Sequence, residues 1–323
     1  MWSRCCSNHK SKKNTQRSYL MKTRLLLLLA LSICCPSLLA DDYTQTRYPI
    51  VLVHTFLGFD KIGPLEYWYG IPSALRKSGA VVFTTQVSTV HSSEERGEQL
   101  LSQVEEILAV TGAEKINLIG HSYGAQTARY VAAVIPEKVA SVTSIGSPVK
   151  GTPAADIVQN LADDPRYVGL IAGLLRGLAL IVDRASGGNL PQDALAGLKG
   201  LTTAGNEEFN ALFPAGVPDS PCGEGVYQQD GIHYFSWAGS HAGITNYLDP
   251  SSYALALTKL LFDEPSNGLV GRCSSHFGQV IRDDYAMDHL DEVNQLFGIV
   301  NARSANPKSI YREHANRLRN LGL

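Results

Sequence analysis

Gly120-His121-Ser122-Tyr123-Gly124 forms a G-x-S-x-G stretch within INLIGHSYGAQTARYVA. A short apolar run precedes it and a helix-like run follows. In that setting the serine must occupy a sharp strand-to-helix turn, with its Oγ exposed at the edge of a sheet. The flanking glycines let neighbouring chains pass without Cβ clashes. The Tyr123 N–H then faces a developing oxyanion at a helix N-terminus, which favours negative charge. The chemistry is acyl transfer by a nucleophilic hydroxyl. A bare G-x-S-x-G also occurs in ordinary tight turns, so the strand before it and the helix after it carry the reading.

A serine hydroxyl needs a base, and in this type of turn the partners follow in the order serine, acid, histidine. The chain has nine histidines. His9 lies in the N-terminal leader, His54 precedes the serine and His121 flanks it. His91, His233 and His241 come before the segment where the acid is due, and His314 lies near the C-terminus. His276 and His289 remain. His289 stands in MDHLDEVNQLFG, expected at the entrance of a late helix, and is the favoured base.

The elements around the motif alternate. YPIVLVH (48–54), AVVFTTQVS (80–88), KINLIG (115–120) and VASVTSIGSP (139–148) read as buried strands. Helical spacing is expected over 71–79, 94–110 and 123–135. This order predicts an α/β fold with a mostly parallel sheet and helices on both faces. Ligands bind such sheets at the carboxyl ends of the strands. GIHYFSWAGS (231–240) reads as a further strand. SSYALALTKLLF (251–262) reads as a helix capped by Ser251 or Ser252. YVGLIAGLLRGLALIV (167–182) is nearly all apolar, with Gly169, Gly173 and Gly177 on one helix face. It is either a buried core helix or a mobile lid that covers apolar surface.

The first 40 residues read as export machinery. Met21 opens MKTRLLLLLALSICCPSLLA, a basic n-region and apolar h-region ending at Ala40, so 1–40 is expected to be a signal peptide. Residues 1–20 read as an over-extended start or a long n-region. The mature domain is then 41–323, with a lid region at about 150–205. It keeps 21 basic against 30 acidic residues, a net charge of −9, which argues against nucleic-acid binding. Two cysteines remain, Cys222 and Cys273, and a single pair in an exported chain is expected to form a disulfide.

The chain resembles the Pseudomonas/Burkholderia-type secreted triacylglycerol lipases, which have an α/β-hydrolase fold. The matching stretches include YTQTRYPIVLVH, RGEQLLSQVEEI, NLIGHSYG, FNALFP, CGEGVY, NYLDPS, GLVGRCSSH, DHLDEVNQLFG and HANRLRN, and span 43–319. The resemblance implies that Ser122 is the nucleophile and His289 the base. It implies that the Tyr123 and Phe56 N–H groups bind the oxyanion and that Cys222 pairs with Cys273. Asp249 and Asp291 match carboxylate ligands of a structural calcium ion, and Gln295 and Ile299 match its carbonyl ligands. The implied partners are a lipid ester at an interface, a membrane-bound folding helper and a secretion system. The implied location is extracellular, reached through the periplasm.

Two positions depart from the family. It has His-Gly after the first strand, where this chain has His54-Thr55. It places its triad aspartate just before GLVG, where this chain has Asn267 in a loop two residues shorter. An amide accepts the same imidazole hydrogen bond but brings no charge. In a serine protease that exchange costs about 10⁴ in rate, roughly 5 kcal/mol. Glu292, three residues beyond His289, is the expected substitute acid, and Asp263 and Glu264 are further candidates. If the amide is costly, Asn267→Asp is expected to raise the rate. Two other functions fit the residues: a short-chain carboxylesterase, and a catalytically weakened lipid-binding relative.

Overall fold

The computed structural model describes residues 42–323. The expected leader lies outside the described residues. Residues 41–323 make one compact unit. Its sheet runs β4-β1-β5-β6-β8, with β9 also on β8. These are β1 (Ile50–Val53), β4 (Val82–Thr85), β5 (Ile116–His121), β6 (Val139–Ile145), β8 (Ile232–Gly239) and β9 (Gln279–Tyr285). Every pair among them is parallel. The short strand β7 (Gln228–Gln229) joins β8 antiparallel. A two-residue hairpin, β2 (Lys61–Ile62) with β3 (Leu65–Glu66), stands apart.

The central strands β1, β5, β6 and β8 are buried on both faces, which is why they read as continuous apolar runs. Along β1, Ile50 and Leu52 enter one core with Trp68, Trp237 and Tyr311. Val51 and Val53 enter the other with Leu100, Val104 and Val131. This is the period-2 alternation of a strand with a helix layer on each side. Helices α1 (Ile71–Lys77), α2 (Ser93–Thr111), α3 (Gly124–Val134) and the C-terminal α9 (Pro307–Asn320) form those layers. Ser92 caps α2 by accepting the Glu95 N–H, as Ser-x-x-Glu spacing favours.

After β6 the chain leaves the sheet for α4 (Pro153–Ala162), α5 (Val168–Ala185), α6 (Ala194–Lys199) and α7 (Thr203–Leu212). α5 is not a core helix. Only Ala179 and Asp183 are buried on it, while Leu170, Leu174 and Ile181 are 69%, 62% and 67% exposed. No neighbouring atom lies within contact range of a Cβ placed on Gly169, Gly173 or Gly177.

Three local expectations change. α8 spans Pro250–Thr258 and is capped by Asp249, not by Ser251 or Ser252. His289 does not open a helix, since the chain there makes only a three-residue 3₁₀ turn, Asp291–Val293. Carboxylates and loop hydrogen bonds hold that segment instead. β9 went unread because its sequence, QVIRDDY, carries charges and alternates between exposed and half-buried at the sheet edge.

Candidate active site

Ser122 is placed by backbone necessity. β5 delivers the chain to the carboxyl edge of the sheet, and α3 must start two residues later. The turn forces Ser122 to φ 53°, a conformation that L-residues adopt at a cost of order 1–3 kcal/mol. Its N–H bonds Ile145 O (2.8 Å) and its carbonyl takes Ala125 N–H (3.0 Å). A Cβ on Gly120 would lie 2.5 Å from Ala125 backbone atoms, and one on Gly124 would lie 2.2 Å from Val53 O. Both flanking glycines are therefore obligatory.

Ser122 and His289 face one cavity of about 500 Å³. Its walls are mostly apolar, from Phe56, Val158, Leu175, Leu198, Leu269 and Leu296. Val158 and Leu175 come from α4 and α5, so the excursion after β6 roofs the site. A cavity of this size and polarity accepts an acyl chain better than a polar substrate.

The loop after β1 borders the cavity beside Ser122. No carbonyl among the described residues takes the Phe56 N–H. The Tyr123 N–H points at Thr55 Oγ1 (3.3 Å). The loop is anchored by buried Arg96, which donates to His54 O and Ser88 O (both 2.6 Å) and more weakly to Thr55 O (3.4 Å). Its guanidinium also lies 5.1 Å from the Tyr123 ring centroid. The sequence reading missed Arg96. Its signal was a lone arginine at the start of an otherwise amphipathic helix.

Behind His289 lies Glu292, fully buried. Its Oε2 is 3.6 Å from His289 Nδ1 and 3.0 Å from His121 Nε2. Its Oε1 accepts from Gly239 N–H (2.7 Å) and Asn267 Nδ2 (3.0 Å). The carboxylate is closely packed, since a Cβ on Gly146 would lie 1.9 Å from Oε2. With Glu292 on the Nε2 side of His121, Nδ1 of that ring accepts from the Tyr67 hydroxyl (2.5 Å). Burial pushes Glu292 up to about 7, while His289, the Asn267 amide and the Gly239 N–H pull it down. Burial pushes His289 down to about 3, reinforced by His121 and opposed by Glu292.

Asn267 does not address the imidazole. Its Oδ1 accepts from Leu269 N–H (3.1 Å) and Val270 N–H (2.8 Å), its Nδ2 serves Glu292, and its carbonyl accepts the His289 backbone N–H (2.8 Å). It thus holds Glu292 and the main chain at His289. Glu264 is turned to Cys273 N–H (2.9 Å) and Asp263 is exposed. His276 bonds Asp283 (2.9 Å) and Gly223 O (3.0 Å) instead of facing the cavity. Cys222 and Cys273 are disulfide-bonded.

Asp249, Asp288 and Asp291 form a second buried group, with ligand atoms all within 4.8 Å of one another. Asp288 was not foreseen. Ser252 Oγ bridges Asp249 Oδ2 (2.5 Å) and Asp288 Oδ2 (3.0 Å). No lysine or arginine among the described residues pairs with the three. Burial and mutual repulsion push Asp291 up to about 8, and burial pushes Asp288 up to about 6. The Gln295 and Ile299 carbonyls take no backbone hydrogen bond among the described residues. Clustered buried carboxylates without a cationic side chain have the donor chemistry of a hard-cation site.

Residues 48–293 match the alpha/beta hydrolase fold family. The chain is 51% identical to a triacylglycerol lipase of Vibrio cholerae, over 93% of this chain and 99% of that protein. It is 44% identical to a triacylglycerol lipase of Pseudomonas fragi, over 88% of this chain and all of that protein. Among solved structures, the lipase of Staphylococcus hyicus shares the fold at 18% identity and TM-score 0.56, covering 85% of this chain and 97% of that one. The chain belongs to the α/β-hydrolase fold family and, within it, to the triacylglycerol lipases.

Proposed function

We propose that this carboxylic ester hydrolase cleaves triacylglycerols and related lipid esters at an interface, with Ser122 as nucleophile, His289 as base and Glu292 as the acid. The supporting observation is the strained Ser122 turn facing the same apolar cavity as His289, with Glu292 buried behind the imidazole. Ser122 Oγ attacks the ester carbonyl and gives its proton to His289 Nε2. Glu292 stabilises the imidazolium and fixes its tautomer through Nδ1. The Phe56 and Tyr123 N–H groups receive the oxyanion. His289 returns the proton to the leaving alcohol, and water then releases the fatty acid from Ser122.

Helices α4–α6 act as a lid over the cavity. The exposed leucines of α5 would settle on a lipid surface and so offset their exposure to water. Hydrolysis of an ester series of rising chain length tests this. Activity is expected to climb sharply once an ester passes its solubility limit. Activity confined to soluble short chains would favour the short-chain esterase.

A calcium ion suits Asp249, Asp288 and Asp291, with carbonyl ligands from Gln295 and Ile299. Its contribution would be structural: it would offset two of the three buried negative charges and tie the cap of α8 to the loop carrying His289. A chelator is expected to lower the melting temperature. Calcium at about 100 times its Kd stabilises by about 2.7 kcal/mol, which is roughly 4–5 °C for a domain of this size. Asp291→Ala should lower the melting temperature and abolish the response to chelator. An unchanged melting curve in both arms rejects the site. Residues 1–40 as a signal peptide, export through the periplasm and a membrane-bound folding helper complete the reading, and the Cys222–Cys273 disulfide suits that route.

A further inference from the structure

We propose that the Thr55 hydroxyl is a third donor to the oxyanion, an addition of this chain to the site described above. Thr55 lines the cavity with Ser122, Phe56 and His289. Its Oγ1 accepts the Tyr123 N–H at 3.3 Å. An oxygen placed to receive that N–H and the Phe56 N–H therefore lies beside Oγ1. A hydroxyl carries one proton and two lone pairs. One lone pair takes the Tyr123 N–H, and no described residue accepts the proton. The free O–H is thus available to the cavity.

Thr55 is also fixed in place. Its carbonyl accepts from His54 Nδ1 (2.9 Å) and Gly58 N–H (3.0 Å), and from Arg96 at 3.4 Å. Its β-branched side chain has few χ1 choices. At 3.3 Å the Tyr123 N–H is bonded weakly enough to Oγ1 to be yielded to the oxyanion, and the hydroxyl then donates to that oxygen beside it. As the Ser122 Oγ–carbon bond forms, the carbonyl π pair moves to oxygen, and Thr55 O–H donates to that oxygen without giving up its proton. The resembled lipase family has glycine at this position, where this chain has threonine. In this chain the side chain that narrows the loop also furnishes a donor.

The inference rests on Ser122 being the nucleophile, so the experiment separates the two. kcat and KM are measured on a soluble ester for wild type, Thr55→Val, Thr55→Ser, Thr55→Gly and Ser122→Ala. Loss of one oxyanion donor costs about 10²–10³ in kcat. Thr55→Val is expected to fall by about 10², with KM nearly unchanged, and Thr55→Ser to stay within about fivefold of wild type. Thr55→Val within about threefold of wild type, or faster, overturns the proposal, because a hydroxyl that merely competes for the Tyr123 N–H would give that result. If valine prevents folding, Thr55→Gly decides by the same threshold. Full activity in Ser122→Ala would instead sink the hydrolase reading itself.

Discussion

Replacing Ser122 with alanine is expected to lower kcat for ester hydrolysis by about 10⁶, while binding of a long-chain ester survives. The loss is large because the other groups act only through this oxygen. His289 has no proton to take from a methyl group, and the oxyanion donors have no tetrahedral intermediate to bind. Binding survives because the cavity walls are apolar side chains that the substitution leaves alone. The fold should survive too. Alanine keeps the Cβ, and the backbone contacts to Ile145 O and Ala125 N remain. Steady-state rates and ester binding to the same preparation check both halves.

Replacing Glu292 with glutamine is expected to lower kcat by about 10⁴, with KM within a few-fold of wild type. Glutamine fills the same space, so packing is preserved. The charge that stabilises the imidazolium is lost, and an amide N–H₂ turned toward His289 would favour the wrong tautomer. Three donors converge on this carboxylate from His121, Gly239 and Asn267. A carboxylate has about four acceptor sites, and His289 Nδ1, which has no hydrogen-bond partner and lies 3.6 Å from Oε2, would reach the fourth by a small shift. The same geometry reverses the expectation for Asn267→Asp. That change would set a second carboxylate about 3.0 Å from Glu292 Oε1. Two such groups cannot both ionise, so the rate is expected to fall. A rate increase in Asn267→Asp, or wild-type kcat in Glu292→Gln, would reassign the acid.

The parallel sheet and the serine turn were legible because they rest on short-range rules. Buried strands read as apolar runs, and G-x-S-x-G between strand and helix has few geometric solutions. Chain order nominates His289, and the fold brings it to the same cavity as Ser122. The surroundings of Glu292 were not. His121, Asn267, Gly239 and Gly146 meet there from four separate segments, and nothing local in any of them signals a shared carboxylate. Asn267 looked like a loss because chain position alone suggests that it faces the imidazole. In the fold its amide points at Glu292, so glutamate in one loop and asparagine in the other form a matched pair. Thr55 looked like a steric departure, and only its distance to Tyr123 N brings its hydroxyl into the proposed oxyanion site. Asp288 escaped notice because three acids scattered over 249–291 become a cluster only when α8 packs against the His289 loop.

Mass spectrometry after treatment with a long-chain alkyl phosphonate ester tests the central claim most directly. The reagent traps a serine hydroxyl that is activated by a base and faces an apolar cavity. The expected result is one phosphonyl group per chain, on the peptide holding Ser122, with labelling far slower in Glu292→Gln. Labelling of another residue, or none while lipid esters are still being hydrolysed, would contradict it.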